Sequence, residues 1–156
     1  MKIELIYIQS GRESWVEEAE DLYAKKIKNF IEFKIHGLKS SKDNREHIQK
    51  KIKNEEEKFL KQIQPSDFVI IFDEKAKCPE NSIKFSERLV KELESHKRIK
   101  ILIGGAFGFG PEIKSRANLK ISLSNLTFNH HVAKVTILEQ IYRALTIAKG
   151  LPYHNS

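Results

Sequence analysis

Spacing of apolar and polar positions divides the chain into strand-length hydrophobic runs alternating with helix-period segments. Lys2 to Ile8 reads as a strand, and Ser10-Gly11 as the turn after it. The spacing then predicts a helix over about Ser14 to Phe30, with Trp15, Ala19, Leu22, Tyr23, Ile27 and Phe30 along one apolar face. Phe33 and Ile35 alternate with Lys34 and His36, which predicts a short, half-exposed strand up to Gly37. Lys39 to Asn44 is polar and reads as a loop, with Asp43 or Asn44 as cap for a helix reaching about Gln62. The apolar positions of that helix, Ile48, Ile52, Phe59 and Leu60, form only a narrow stripe.

Pro65-Ser66 ends it, and Phe68 to Phe72 is a continuous apolar run, as expected for a central strand covered on both faces. A helix then starts at Asn81 or Ser82 and turns Ile83, Phe85, Leu89, Val90 and Leu93 inward, and Ile99 to Ile103 is a second buried strand. Pro111 opens a short helix to about Ala117, Lys120 to Leu123 is a further strand, and His130 to about Lys149 is the last helix. This alternation predicts an α/β fold with a mainly parallel sheet and helices on both faces. In the last helix Val132, Val135, Ile137, Leu138, Ile141, Tyr142, Ala144, Leu145, Ile147 and Ala148 cover more than one face. Such a helix either packs deep inside a monomer or covers a second copy; we expect a homodimer through it.

With 156 residues and 40% hydrophobic content the chain has enough material for one core, and we expect a single domain over residues 1–156. Its one cysteine, Cys78, excludes an intrachain disulfide and suits a reducing compartment. The run Ile3 to Ile8 is broken by Glu4 and is too short for a signal sequence or a membrane span, so the expectation is cytoplasmic, with no membrane partner. A net charge of +7 favours an anionic partner, most commonly nucleic acid. Lys50, Lys51, Lys53, Lys58 and Lys61, interleaved with Glu55 to Glu57, read as solvated helix faces with i,i+4 pairs such as Glu57 to Lys61.

The candidate chemistry begins at Gly104, Gly105, Gly108 and Gly110, directly after an apolar strand. No register of these glycines fits the dinucleotide fingerprint, and Gly110 is followed by Pro111-Glu112 rather than the Lys-Ser/Thr of a P-loop. No phosphate cradle is indicated. A tight strand-to-helix turn and a loop that holds a ligand at the carboxyl end of a sheet both remain open. His130 and His131 point about 100° apart on a helix and have no ligand partner at metal spacing, so no metal site is expected.

Three segments stand in order after predicted strands: Phe72-Asp73-Glu74-Lys75-Ala76-Lys77, Ile103-Gly104-Gly105-Ala106-Phe107-Gly108, and Leu123-Ser124-Asn125-Leu126-Thr127-Phe128-Asn129-His130. With Glu139-Gln140-Ile141-Tyr142-Arg143-Ala144 and the terminal Tyr153-His154, the chain resembles, over its whole length, the large-subunit ribosomal RNA methyltransferase H family of the SPOUT superfamily. The resemblance implies an α/β trefoil knot, a homodimer, S-adenosylmethionine as cofactor, and methylation of N(3) of a pseudouridine in large-subunit rRNA on assembled ribosomes. It further implies cofactor contacts at Phe72, Gly104, Leu123, Ser124, Asn125, Leu126, Thr127 and Phe128. By the same resemblance His154 is the candidate proton acceptor, Arg143 the candidate cation for developing charge or a phosphate, and Tyr153 a partner for the base. The chain departs from the family pattern at Ala76 (usually glycine), Asn129 (proline), Lys134 (arginine) and Asn155 (often basic), and Phe107 and Phe109 make its glycine loop more apolar than usual. The competing readings are a basic α/β RNA-binding module without catalysis and a nucleotide-binding doubly wound enzyme.

Overall fold

The computed structural model describes residues 1–40 and 47–155. The strands are β1 (Lys2–Gln9), β2 (Glu32–Lys39), β3 (Phe68–Phe72), β4 (Arg98–Ile103) and β5 (Leu119–Ile121). The helices are α1 (Ser14–Lys28), α2 (Ile48–Leu60), α3 (Ser82–Ser95), α4 (Pro111–Arg116) and α5 (His130–Ala148). All strand pairs are parallel, in the order β2-β1-β4-β3-β5. The apolar runs of β3 and β4 are buried because helices cover both faces of the sheet, as their unbroken hydrophobicity requires. This is the α/β, SPOUT-type sheet that the resemblance implies.

Alternation along each strand sorts the side chains into two cores. On one face Ile3, Leu5, Ile70, Ile99 and Ile101 meet α1, α3 and α5. On the other, Ile6, Ile8, Val69, Ile71 and Leu102 meet Phe59 of α2 and Ile113 of α4. Helix α5 lies between α1 and α3, tied by Ser86 Oγ donating to the Ala144 carbonyl (2.6 Å) and by Tyr142 packing on the Tyr23 and Phe30 rings. Packing within one chain thus accounts for much of the many-sided apolarity of α5, while Val132 stays 44% exposed.

The structure corrects several local expectations. In α1 the inward stripe is Val16, Ala24 and Ile27, and Trp15 and Leu22 are exposed. Neighbouring apolar pairs, Trp15-Val16 and Leu22-Tyr23, allow two stripes a residue apart, and the packing partners select one. Strand β5 ends at Ile121, two residues early, where Ser122 Oγ donates to the Ser124 carbonyl and turns the chain. Strand β2 runs beyond Gly37 to Lys39, because β1 pairs with it along its whole length. Helix α2 begins at Ile48, with His47 Nδ1 accepting from the Gln49 N–H; Asp43 and Asn44 lie outside the described residues. The Glu57–Lys61 pair does not form, and Glu55 and Glu56 are buried rather than solvated. They face the glycine loop, a tertiary contact with no trace in the spacing.

At the amino edge of the sheet Glu4 is buried with Lys100 as ion partner and Lys2 at 3.0 Å. Burial raises the Glu4 carboxyl, but hydrogen bonds from Lys100 and Lys2 outweigh it and hold it at about 2. Lys100→Met should cost about 3 kcal/mol at pH 7, since Lys2 still pairs with the stranded carboxylate; urea unfolding measures it. A depressed carboxyl contributes stability above its ordinary value of 4.5 that is lost as pH falls toward 2, so the gap between the two proteins should close over that window.

Candidate active site

Phe72 is in register with Ile103 on one side and Ile121 on the other, so β3, β4 and β5 end at one level. The three loops that follow therefore leave the carboxyl edge of the sheet together, where α/β folds place their ligands. Between them lies a cavity of about 470 Å³, within the range of small-molecule sites. Phe72, Gly104, Leu123, Ser124, Leu126, Thr127 and Phe128 line it, and Asn125 does not. Sequence reasoning did not place Asp73, Lys114, Ala133 and Ile137 there; they come from the loop after β3, from α4 and from α5.

Each wall has a local cause. In the glycine loop the Gly108 N–H donates to the Gly105 carbonyl (3.1 Å), and Gly108 has φ +79°, a region that strains other residues. Phe109 is buried at the back of the cavity wall and packs on Phe59 at 5.6 Å, whereas Phe107 is 48% exposed, with Lys51 5.9 Å from its ring centre. In the third loop Ser124 Oγ accepts from the Leu126 N–H at 3.0 Å, and Cys78 Sγ donates to the Leu123 carbonyl at 3.5 Å. Asn129 Oδ1 accepts from the His131 N–H and caps α5, so this departure from proline supplies a cap. Ala76 needs no glycine, because no non-glycine residue among those described has positive φ.

Lys134 is buried, 3.0 Å from Glu20 and 3.6 Å above the Tyr7 ring. Lysine at this position therefore acts inside the protein, beside the cavity, rather than on an exposed face. Burial and the neighbouring Glu20 push the Tyr7 phenol up to about 12. His130 lies 2.6 Å from Ser10 Oγ; burial first, then His131 and Lys134, hold its imidazole below the ordinary value and favour the neutral ring.

The three candidate catalytic residues form a separate cluster. Arg143 donates through Nε (2.9 Å) and Nη2 (2.6 Å) to Glu139 Oε1, its Nη1 lies 3.0 Å from His154 Nδ1, and the Tyr153 hydroxyl donates to the same Glu139 oxygen at 3.0 Å. The terminal segment thus folds back on α5. Arginine has no acceptor, so His154 Nδ1 receives that bond and the ring hydrogen sits on Nε2. Burial and Glu139 push the Tyr153 phenol well above its usual range. None of these residues lines the cavity. Arg143 lies six residues beyond Ile137, roughly 9 Å along α5 and turned by about 120° from it.

The description "Predicted SPOUT methyltransferase" belongs to a family model that matches residues 1–154, and the chain is a member of that methyltransferase family. Among its relatives, proteins named ribosomal RNA large subunit methyltransferase H stand out. One from Bdellovibrio bacteriovorus is 44% identical, with 99% of each chain covered. Those from Christiangramia forsetii (38%, 99% of each chain) and Trichlorobacter lovleyi (33%, 99% of this chain and all of the relative) are similar over the same extent. Among the described residues no helix is long and apolar enough to cross a membrane, and no group of three His, Cys, Asp or Glu side chains is placed to hold a metal ion.

Tyr153→Phe removes the phenol's bond to Glu139 and should cost about 1 kcal/mol. Hydrogen exchange should report it as faster exchange at residues 151–155 with the first turns of α5 unchanged.

Proposed function

We propose that the cavity binds S-adenosylmethionine and that the protein methylates N(3) of a pseudouridine in large-subunit ribosomal RNA within the ribosome. The observation that carries this reading is the meeting of seven residues from three separated motifs around one cavity of suitable size. Phe72, Leu123 and Phe128 offer apolar surface for an adenine, and the backbone of the glycine and Leu123–Phe128 loops offers polar groups for its edge. Bound there, the cofactor supplies a methyl group activated on a sulfonium. The protein's part is to hold the attacking ring nitrogen in line and to remove its proton.

His154, Arg143 and Tyr153 are the residues we assign to that part. Because they stand away from the cavity in their own chain, a second copy has to bring its tail to the cofactor, and we read the protein as a homodimer built with α5. Exposed Leu126 at the cavity and Val132 on the first turn of α5 provide apolar surface for that copy. As proton acceptor His154 has to release Nδ1 from Arg143, which frees Nη1 of the guanidinium for charge developing on the flanking carbonyls while Nε and Nη2 stay on Glu139.

Ribosomes that carry the pseudouridine but lack the methyl group should accept label from S-adenosylmethionine, and free rRNA should do so poorly. Failure on those ribosomes would sink the reading in favour of an RNA-binding module, and tight ATP binding with no response to S-adenosylmethionine or S-adenosylhomocysteine would favour a nucleotide enzyme. A mixture of His154→Ala protein with a Gly104→Leu protein should recover activity that neither shows alone. Absence of recovery in a mixture proven to exchange subunits would contradict the shared site.

A further inference from the structure

Two carboxylates stand behind the glycine loop, on the side away from the cavity. Helix α4 starts with Gly110 as N-cap, which has no side chain to offer, and with Pro111, which has no N–H. The next two donors, the N–H groups of Glu112 and Ile113, both reach Glu56 Oε2 of α2, at 2.9 and 3.1 Å. Glu56 is 6% exposed, so this is a buried cap supplied across a tertiary contact. A methyl group on Gly110 would lie 2.6 Å from Glu56 Cδ, and one on Gly105 would lie 2.8 and 2.9 Å from the two oxygens of Glu55. Phe59, one turn on, holds Phe109. Three residues of α2 thus grip the loop at Gly105, Phe109 and Gly110, while Gly104 to Phe109 form a wall of the cavity.

We propose that Glu56, seconded by Glu55, is a positioning residue for cofactor binding: α2 holds the glycine loop from behind in the shape that accepts the methyl donor. The inference rests on the reading of the cavity as the S-adenosylmethionine site. Neither carboxylate lines the cavity, so the effect passes through the loop backbone and falls on cofactor affinity more than on the chemical step. The glycines at 105 and 110 are then required by the carboxylates behind them. Gly110 has φ −76°, which alanine adopts freely, so Gly110→Ala acts by displacing Glu56 and not through backbone strain.

The test titrates full-length wild type, Glu56→Gln, Glu56→Ala, Gly110→Ala and the Glu56→Ala/Gly110→Ala double variant with S-adenosylhomocysteine by calorimetry. Methylation of ribosomes then supplies KM and kcat for S-adenosylmethionine. Glu56→Ala and Gly110→Ala should each raise Kd and KM about tenfold with kcat within about twofold. The double variant should be no worse than Glu56→Ala, since both changes break one contact. Glu56→Gln keeps an oxygen for the two N–H groups and should recover most of the affinity. Folded single variants with unchanged Kd and KM, or losses that multiply in the double variant, would overturn the proposal; should Glu56→Ala not fold, Glu56→Gln against Gly110→Ala carries the same contrast. A wild type that binds neither methionine derivative would instead refute the cofactor site itself.

Discussion

The level line Phe72, Ile103, Ile121 across β3, β4 and β5 is the constraint on which the site depends. Parallel pairing makes all three strands end on the same edge, and register makes them end at the same height. A slip of one residue in β3 would turn Phe72 to the other face and exchange the two cores at once. That line is held by burial, since Ile70, Ile71, Ile101 and Leu102 are almost fully removed from water. The polar pairs at the other edge, Glu4 with Lys100 and Asp67 with Arg98, bridge neighbouring or successive elements where the apolar runs begin.

The loops that leave this edge are held partly by their own side chains, as Ser124 Oγ holds the Leu126 N–H, and partly by groups from outside them. Glu56 of α2 caps α4, and Cys78 of the first loop reaches the Leu123 carbonyl of the third. The two phenylalanines of the glycine loop divide by environment: Phe109 joins the α2 core and Phe107 stays at the cavity rim under Lys51. Helix α2, which reads as a weak amphipathic helix, is therefore the backing of the loop.

Helix α5 carries two different chemistries along its length. Its first turns supply His130, Ala133 and Ile137 to the cavity, and the turns from its middle onward supply Glu139 and Arg143 to the terminal Tyr153 and His154. The helix thus keeps the cavity and the terminal cluster apart within one chain. Lys134, buried with Glu20 and Tyr7 near the first of these regions, fixes the helix against α1 and β1.

What the sequence by itself determined is what depends on neighbours along the chain. Period and turn residues place every strand and helix, and the unbroken runs of β3 and β4 already require a sheet covered on both faces. The family resemblance, carried by the order of motifs after successive strands, marks Phe72, Gly104 and Leu123 to Phe128, and seven of those eight positions meet at the cavity. Only the tertiary structure decided the rest, because it depends on which distant groups meet. A glutamate followed by lysines looks solvated until α4 presents two unpaired N–H groups to it; Trp15 or Val16 can lead the inner stripe of α1 until β2 and α5 choose. Arg143, Tyr153 and His154 are legible as one group, but that they pair with Glu139 and stand clear of the cavity is set by how the tail folds back on α5. Spacing encodes periodicity and local bonding, while the burial of a charge is decided by the partner that reaches it.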